Sequence, residues 1–280
     1  MKAAASVIAL PRYGHRALLP ALPGLGLAGV EVAPGWVWDD PWAAADVDAY
    51  RRAVEGAGLQ VIGLHRLLDG RPDLNVLAGG DGRRAVVEAL AHLSALCRDL
   101  GGRTLVLGAG RRREGMPVKA AWQALRAFAE ELLPRIETHG TVLCLEPLGP
   151  GEGDFCTLAR ECTLLADALE HPALGLQMNS KAQAENNDRG HVPFHAVRGR
   201  LDLFAVCEPG YVVAGTSGLI DHDDVRRHLR TIRYDGWVSL TQRVTAAPLA
   251  GLACGADFLR GHYFQAESRR HLLTRVAERL

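Results

Sequence analysis

Thr141-Val142-Leu143-Cys144-Leu145-Glu146-Pro147 decides how the rest of the chain is read. Val142 to Leu145 are apolar without alternation, so a strand built from them must be covered on both faces, as in a parallel sheet wrapped by helices. Pro147 has no N–H to continue a ladder and closes the run. Glu146 is then left at the strand's C-terminal end, where barrel enzymes carry their reactive groups.

Working outward, the same unit recurs along the whole chain. Candidate strands fall at Ala5–Leu10, Gly29–Ala33, Leu59–His65, Arg103–Gly108, Thr141–Glu146, Leu174–Asn179, Leu201–Cys207 and Trp237–Gln242. Helix-like segments lie between them at 15–27, 43–57, 82–100, 117–138, 156–170, 191–199, 222–232 and 254–278. The fourth shows the pattern best: Trp122, Leu125, Phe128, Leu132, Leu133 and Ile136 recur at helical spacing. Asp221, followed three residues later by Asp224, marks a helix start. Eight strand-then-helix units predict an α/β chain closed into one (β/α)8 barrel over residues 1–280. The irregular stretches 66–82, 111–117, 149–155, 181–190 and 209–219 would then crowd the face that bears the strand C-termini.

Composition narrows the function classes. The 32 basic and 32 acidic residues cancel, so no net field draws nucleic acid or an anionic membrane. No stretch reaches the ~18 uninterrupted apolar residues of a membrane span. The short apolar run Ala3–Leu10 ends at Pro11-Arg12 without a cleavage-like region and is read as the first strand, which predicts a soluble, cytoplasmic protein. Six cysteines show no CxxC pair, and Cys144 and Cys207 sit in apolar runs as buried thiols. Only Lys2, Lys119 and Lys181 of the 32 basic residues are lysines, which singles out Lys181 after the sixth strand.

Leu143-Cys144-Leu145-Glu146-Pro147, Leu174-Gly175-Leu176, Gly218-Leu219-Ile220-Asp221 and Arg233-Tyr234-Asp235-Gly236-Trp237-Val238-Ser239-Leu240 together resemble the xylose-isomerase-like TIM barrels. That superfamily includes sugar and sugar-phosphate isomerases and epimerases, inositol-derivative dehydratases and endonuclease IV. The resemblance implies one divalent cation held by a Glu ending strand five, an Asp ending strand six, a His in strand seven and a Glu ending strand eight. Such a cation polarises a carbonyl and its neighbouring hydroxyl, while the strand-five and strand-eight carboxylates move a proton between adjacent carbons. Carried over by position, Glu146 is kept, the strand-six Asp falls on Asn179, and the His beyond it falls on Ala182. The strand-seven pattern falls on Ala205 and Glu208, and the strand-eight Glu on Thr241. The cofactor expectation is therefore none, with weak Mn²⁺, Mg²⁺ or Zn²⁺ binding through Glu146 left open.

The candidate catalytic residues are Glu146 as the proton-abstracting base and Glu208, His65 or Lys181 as its partner. Each has a plain alternative: an ion pair for Glu146, a capped strand end for His65, a surface lysine for Lys181. Asn179, Gln177, Gln242 and Thr241 would bind substrate hydroxyls, and Trp36 and Trp38 would stack on a sugar face or line a lid. Gly108-Ala109-Gly110-Arg111-Arg112-Arg113 could hold a phosphate or be a solvated loop. His222-Asp223-Asp224 is read as helix capping on the non-catalytic side.

Two readings of function stand. One is a sugar, sugar-phosphate or keto-polyol isomerase or epimerase, or a related lyase, with little or no metal dependence. The other is a non-catalytic member of the same fold that binds a small molecule or a partner protein. Endonuclease IV-like repair would need a histidine-rich zinc site that this chain lacks. The expected partner is a small polyhydroxylated or keto substrate, with neither nucleic acid nor membrane, in a chain able to form a homodimer or homotetramer.

Overall fold

In the computed structural model of the chain, residues 1–43, 46–110, 112 and 115–264 are described. Eight parallel strands close into one barrel in sequence order: β1 (Lys2–Ser6), β2 (Gly29–Val32), β3 (Gln60–Leu64), β4 (Thr104–Gly108), β5 (Val142–Glu146), β6 (Leu174–Asn179), β7 (Leu201–Val206) and β8 (Trp237–Leu240). Closure is made by β1 against β8, with Lys2 opposite Trp237 and Ala5 opposite Leu240. The main helices are α1 (Pro34–Val37), α2 (Val47–Gly56), α3 (Gly80–Asp99), α4 (Val118–Glu137), α5 (Ala159–Leu169), α6 (Ser180–Glu185), α7 (His191–Ala196), α8 (His222–Thr231) and α9 (Pro248–Leu259).

The alternation of a strand sorts residues inside or outside the barrel. Along β5, Leu143 and Leu145 point outward to the helices, while Val142 and Cys144 join Ala4, Ile62, Val106 and Leu203 in a separate apolar cluster. That cluster plugs the lower half of the barrel. Two residues further up the same inward row stands Glu146. Above the plug the inward face turns polar toward the strand C-termini, at Glu146, Gln177 and Asn179. Packing is tight at the plug's edge, where a Cβ at Gly63 would overlap the Thr104 carbonyl.

The outer layer follows the amphipathic pattern. Helix α4 buries Leu125, Phe128, Leu132, Leu133 and Ile136, while Trp122 is half-buried and meets Phe155 edge-on at 5.0 Å between ring centres. A fully buried side chain such as Phe128 contributes roughly 1.5–3 kcal/mol.

Several expected boundaries move. The first strand is Lys2–Ser6 rather than Ala5–Leu10, and Val7–Ala9 forms a 3-10 turn. Ser6 explains the stop, since its Oγ accepts the Ile8 N–H and turns the chain. The segment 15–27 holds 3-10 turns (His15–Ala21, Pro23–Leu25), because Pro20 and Pro23 remove the N–H groups an α-helix needs. Part of 181–190 is helix α6 rather than loop. The last helix begins at Pro248, ahead of 254, and the expected stretch beyond 264 lies outside the described residues, as does part of 43–57.

Candidate functional site

A cavity of about 620 Å³ opens at the C-terminal end of the barrel. Its floor and walls include Ile8, Glu31, His65, Val106, Glu146, Gln177, Asn179, Ala205 and Thr241, and its rim includes Arg66, Arg71, Glu152, Tyr211 and Arg243. Five expected site residues thus meet here: Glu146, His65, Gln177, Asn179 and Thr241. The other five do not line it, and each has a physical reason.

Glu146 ends β5 and is half-buried on the cavity wall. Asn179 Nδ2 donates to Glu146 Oε1 at 2.6 Å, and Asn179 Oδ1 accepts from the Ala182 N–H at 2.6 Å. The second bond fixes the amide's orientation: only the oxygen can accept from a backbone N–H, so the NH₂ must face Glu146. Burial pushes the Glu146 carboxyl up to about 7, against the Asn179 hydrogen bond, with the charges of Glu31 and Glu152 raising it further and Lys181 lowering it.

The cavity holds a second buried carboxylate that is absent from the residues expected from the sequence. Glu31, 1% exposed, lies on β2 and accepts from Ser239 Oγ at 2.7 Å. Burial pushes it up to about 7 as well, against the pull of Ser239. The available signal is parity: Glu31 is the only charge in an apolar strand and shares the inward row with Gly29. Above it, Ser6 Oγ and His65 Nε2 are 2.7 Å apart, and burial, then the Arg66 charge, lowers His65 to about 3, so its ring is neutral. Gln177 is 2% exposed, and among the described residues its Oε1 has no hydrogen-bond partner.

Glu208 follows β7 but turns away from the cavity. Its carboxylate accepts from the Gly215 N–H at 2.7 Å, from Ser217 Oγ and from His222 Nε2 at 2.8 Å. Burial alone would raise its pKa; these donors outweigh it and hold the group below the usual carboxylate value. His222 Nδ1 lies 2.6 Å from the Tyr263 hydroxyl, so the ring bridges Glu208 and Tyr263. His222 is thus a buried link at the strand C-terminal side, a correction to the capping reading. Asp221 is the cap, accepting the Asp224 N–H at 2.9 Å.

Lys181 is tied by ion pairs to Glu152 at 2.7 Å and Glu185 at 3.1 Å. Burial pulls its pKa down, but the two carboxylates reverse that and raise it, so it stays charged and does not serve as a free base. Gln242 Nε2 donates to the Gly251 carbonyl at 3.0 Å, at the start of α9. Trp36 Nε1 donates to the Leu10 carbonyl and Trp38 Nε1 to Asp46 at the start of α2, and neither indole lines the cavity. Gly108–Gly110 lines the cavity, while the Arg112 N–H donates to Asp154 at 2.8 Å; Arg111 and Arg113 lie outside the described residues.

The four-ligand cation set implied by the resemblance does not fit these residues. Asn179 presents donors to Glu146, and Ala205 and Thr241 offer no carboxylate or imidazole. Among the described residues no group of three or more His, Cys, Asp or Glu gathers as a metal site.

The barrel and its mouth define an α/β barrel with a buried carboxylate cavity. The family profile of the xylose isomerase-like TIM barrels matches residues 21–262, and the chain belongs to that family. Solved structures similar to it include a D-psicose 3-epimerase from Clostridium cellulolyticum H10 (15% identity, 91% of this chain and 90% of that one, TM-score 0.76). A 3-keto-D-glucoside 4-epimerase from E. coli shares 16% identity over 93% of this chain and 99% of that one, with a TM-score of 0.79. A D-allulose 3-epimerase from Methylomonas sp. shares 17% identity over 94% and 97%, with a TM-score of 0.77. No curated protein matches the chain.

Proposed function

We propose that this protein is a sugar epimerase or isomerase that moves a proton on the carbon next to a carbonyl, with weak or no dependence on metal. The carrying observation is Glu146: a carboxylate on the wall of a barrel-mouth cavity, held near neutrality in pKa and oriented by Asn179. A base poised near neutral pH serves proton abstraction best. The epimerases named among the similar structures support the substrate class, a small polyhydroxylated ketone.

In this reading Glu146 takes the carbon-bound proton. Gln177, Asn179 and Thr241 line the same cavity and orient hydroxyls. The neutral His65 ring, set against Ser6, can donate to the oxygen that gains charge as the proton leaves. Because three of the family's four cation ligands are replaced, no step is routed through a metal. A cytoplasmic location belongs to the same proposal, as the setting of a catalyst of small sugars. No helix among the described residues is long and apolar enough to cross a membrane.

The test is conversion of a ketose panel (D-fructose, D-psicose, D-tagatose, L-ribulose), with and without chelator, alongside elemental analysis for metal. Conversion that survives chelation and is lost in Glu146→Gln supports the proposal. Conversion that requires a stoichiometric metal overturns its metal-independent part. Binding of a ketose without any conversion favours the non-catalytic reading instead.

A further inference from the structure

If Glu146 removes a proton from one face of a carbon, inversion requires a second group to deliver one to the other face. Of the partners expected from the sequence, Glu208 is held outside the cavity by its three donors, Lys181 is locked between Glu152 and Glu185, and His65, set against Ser6 on the cavity wall, serves the substrate oxygen in the proposed function. Directly after β8, where a carboxylate would complete the pair, Thr241 stands instead.

We infer that Glu31 is the second proton-transfer group, acting from the wall opposite Glu146. This deepens the proposed function and rests on it. Strands β2 and β5 are three apart around a closed ring of eight, so their inward side chains approach the cavity axis from different sides. Both carboxylates line the one cavity, and the charge of Glu31 is felt at Glu146. Ser239 of β8, two residues before Thr241, donates to Glu31, so β8 still serves the second carboxylate by positioning it. Between these walls Gln177 lines the same cavity.

The step balances without a further reactant. The C–H bond breaks toward the ionised Glu146, and its electron pair enters an enediolate. The O–H bond of protonated Glu31 then breaks as the new C–H bond forms on the opposite face. Turnover leaves Glu146 protonated and Glu31 ionised, a state that runs the reverse reaction or resets by exchange with water.

The geometry has a one-sided signature. Glu31→Gln, which keeps an acceptor for Ser239, leaves Glu146 able to exchange the proton on its own face. In D₂O the variant should wash deuterium into one member of the D-fructose/D-psicose pair at near wild-type rate. It should fail to do so into the other, and interconversion should fall by about 100-fold or more. Glu146→Gln should show the mirror pattern. Should Glu31→Gln lack a cooperative melt, Glu31→Asp, which withdraws the acid by one methylene, should show the same one-sided loss in milder form. Interconversion at wild-type rate in a folded Glu31→Gln, or equal loss of exchange into both sugars, overturns the inference and leaves the epimerase reading standing. Absence of exchange into either sugar by the wild-type protein overturns both.

Discussion

Glu146 and Glu208 each follow an apolar inward-turning strand, yet their surroundings drive them in opposite directions. Glu146 has one strong side-chain donor, Asn179, and is pushed up to about 7. Glu208 is more deeply buried, at 1% exposure, but collects the Gly215 N–H, Ser217 and His222 and is held below the usual value. Burial raises both carboxylates, and at Glu208 the three donors outweigh it. One carboxylate is left reactive at the cavity, and the other becomes a strut joining the β7 end to α8 and Tyr263.

The largest expected difference between the two carboxylates is in catalysis. Glu146→Gln should reduce ketose conversion by about 10²–10⁴-fold, read by product analysis, because a positioned general base contributes on that scale. Glu208→Gln should leave conversion per folded molecule within a few-fold; equal loss in both variants would erase the distinction.

Stability should show the reverse. His222→Ala removes one partner of a buried, hydrogen-bonded carboxylate and should cost about 3–5 kcal/mol by urea denaturation, a far larger loss than Glu146→Gln produces. A small shift would mean that Gly215 and Ser217 suffice to hold Glu208.

The two kinds of carboxylate also have opposite pH signatures. Glu31 is raised from 4.5 to about 7, so the folded state binds its proton more tightly than the unfolded chain. Wild-type stability should then fall, relative to Glu31→Gln, as pH rises through that window, by up to about 3 kcal/mol. Glu208 is lowered, so its contribution is present above its unfolded value of 4.5 and is lost as pH falls through its folded value. Urea titrations of both variants against pH check the two signs.

The smallest effect concerns Asn179, which caps α6 through the Ala182 N–H while donating to Glu146. Asn179→Ala should cost about 1 kcal/mol of stability and raise the Glu146 pKa further, moving the acid limb of any pH–rate profile upward.

How much of this is legible in the sequence follows from its periodicities. Continuous apolar strands alternating with amphipathic helices dictate the barrel, and the polar residue ending β5 locates its mouth. Strand parity carries the inward row from Cys144 to Glu146, and the same rule applied to Gly29-Val30-Glu31 points to Glu31. Glu208 and Lys181 escape such a rule because position after a strand does not say which way a loop turns. Pro209-Gly210-Tyr211, with Tyr211 at φ +56, swings that chain so that Tyr211 meets the cavity and Glu208 meets His222. His222 resembles a cap in sequence because its partners, Glu208 and Tyr263, lie 14 and 41 residues away.

The most direct measurement is a pH titration of the protein with ¹³Cδ-labelled glutamate, followed by NMR in chelator-treated buffer and assigned with Glu31→Gln, Glu146→Gln and Glu208→Gln. The Glu31 and Glu146 resonances should move near pH 7 as a coupled pair, while Glu208 is already ionised below 4.5. Titration of Glu31 and Glu146 at the ordinary value of 4.5, together with Glu208, would contradict this.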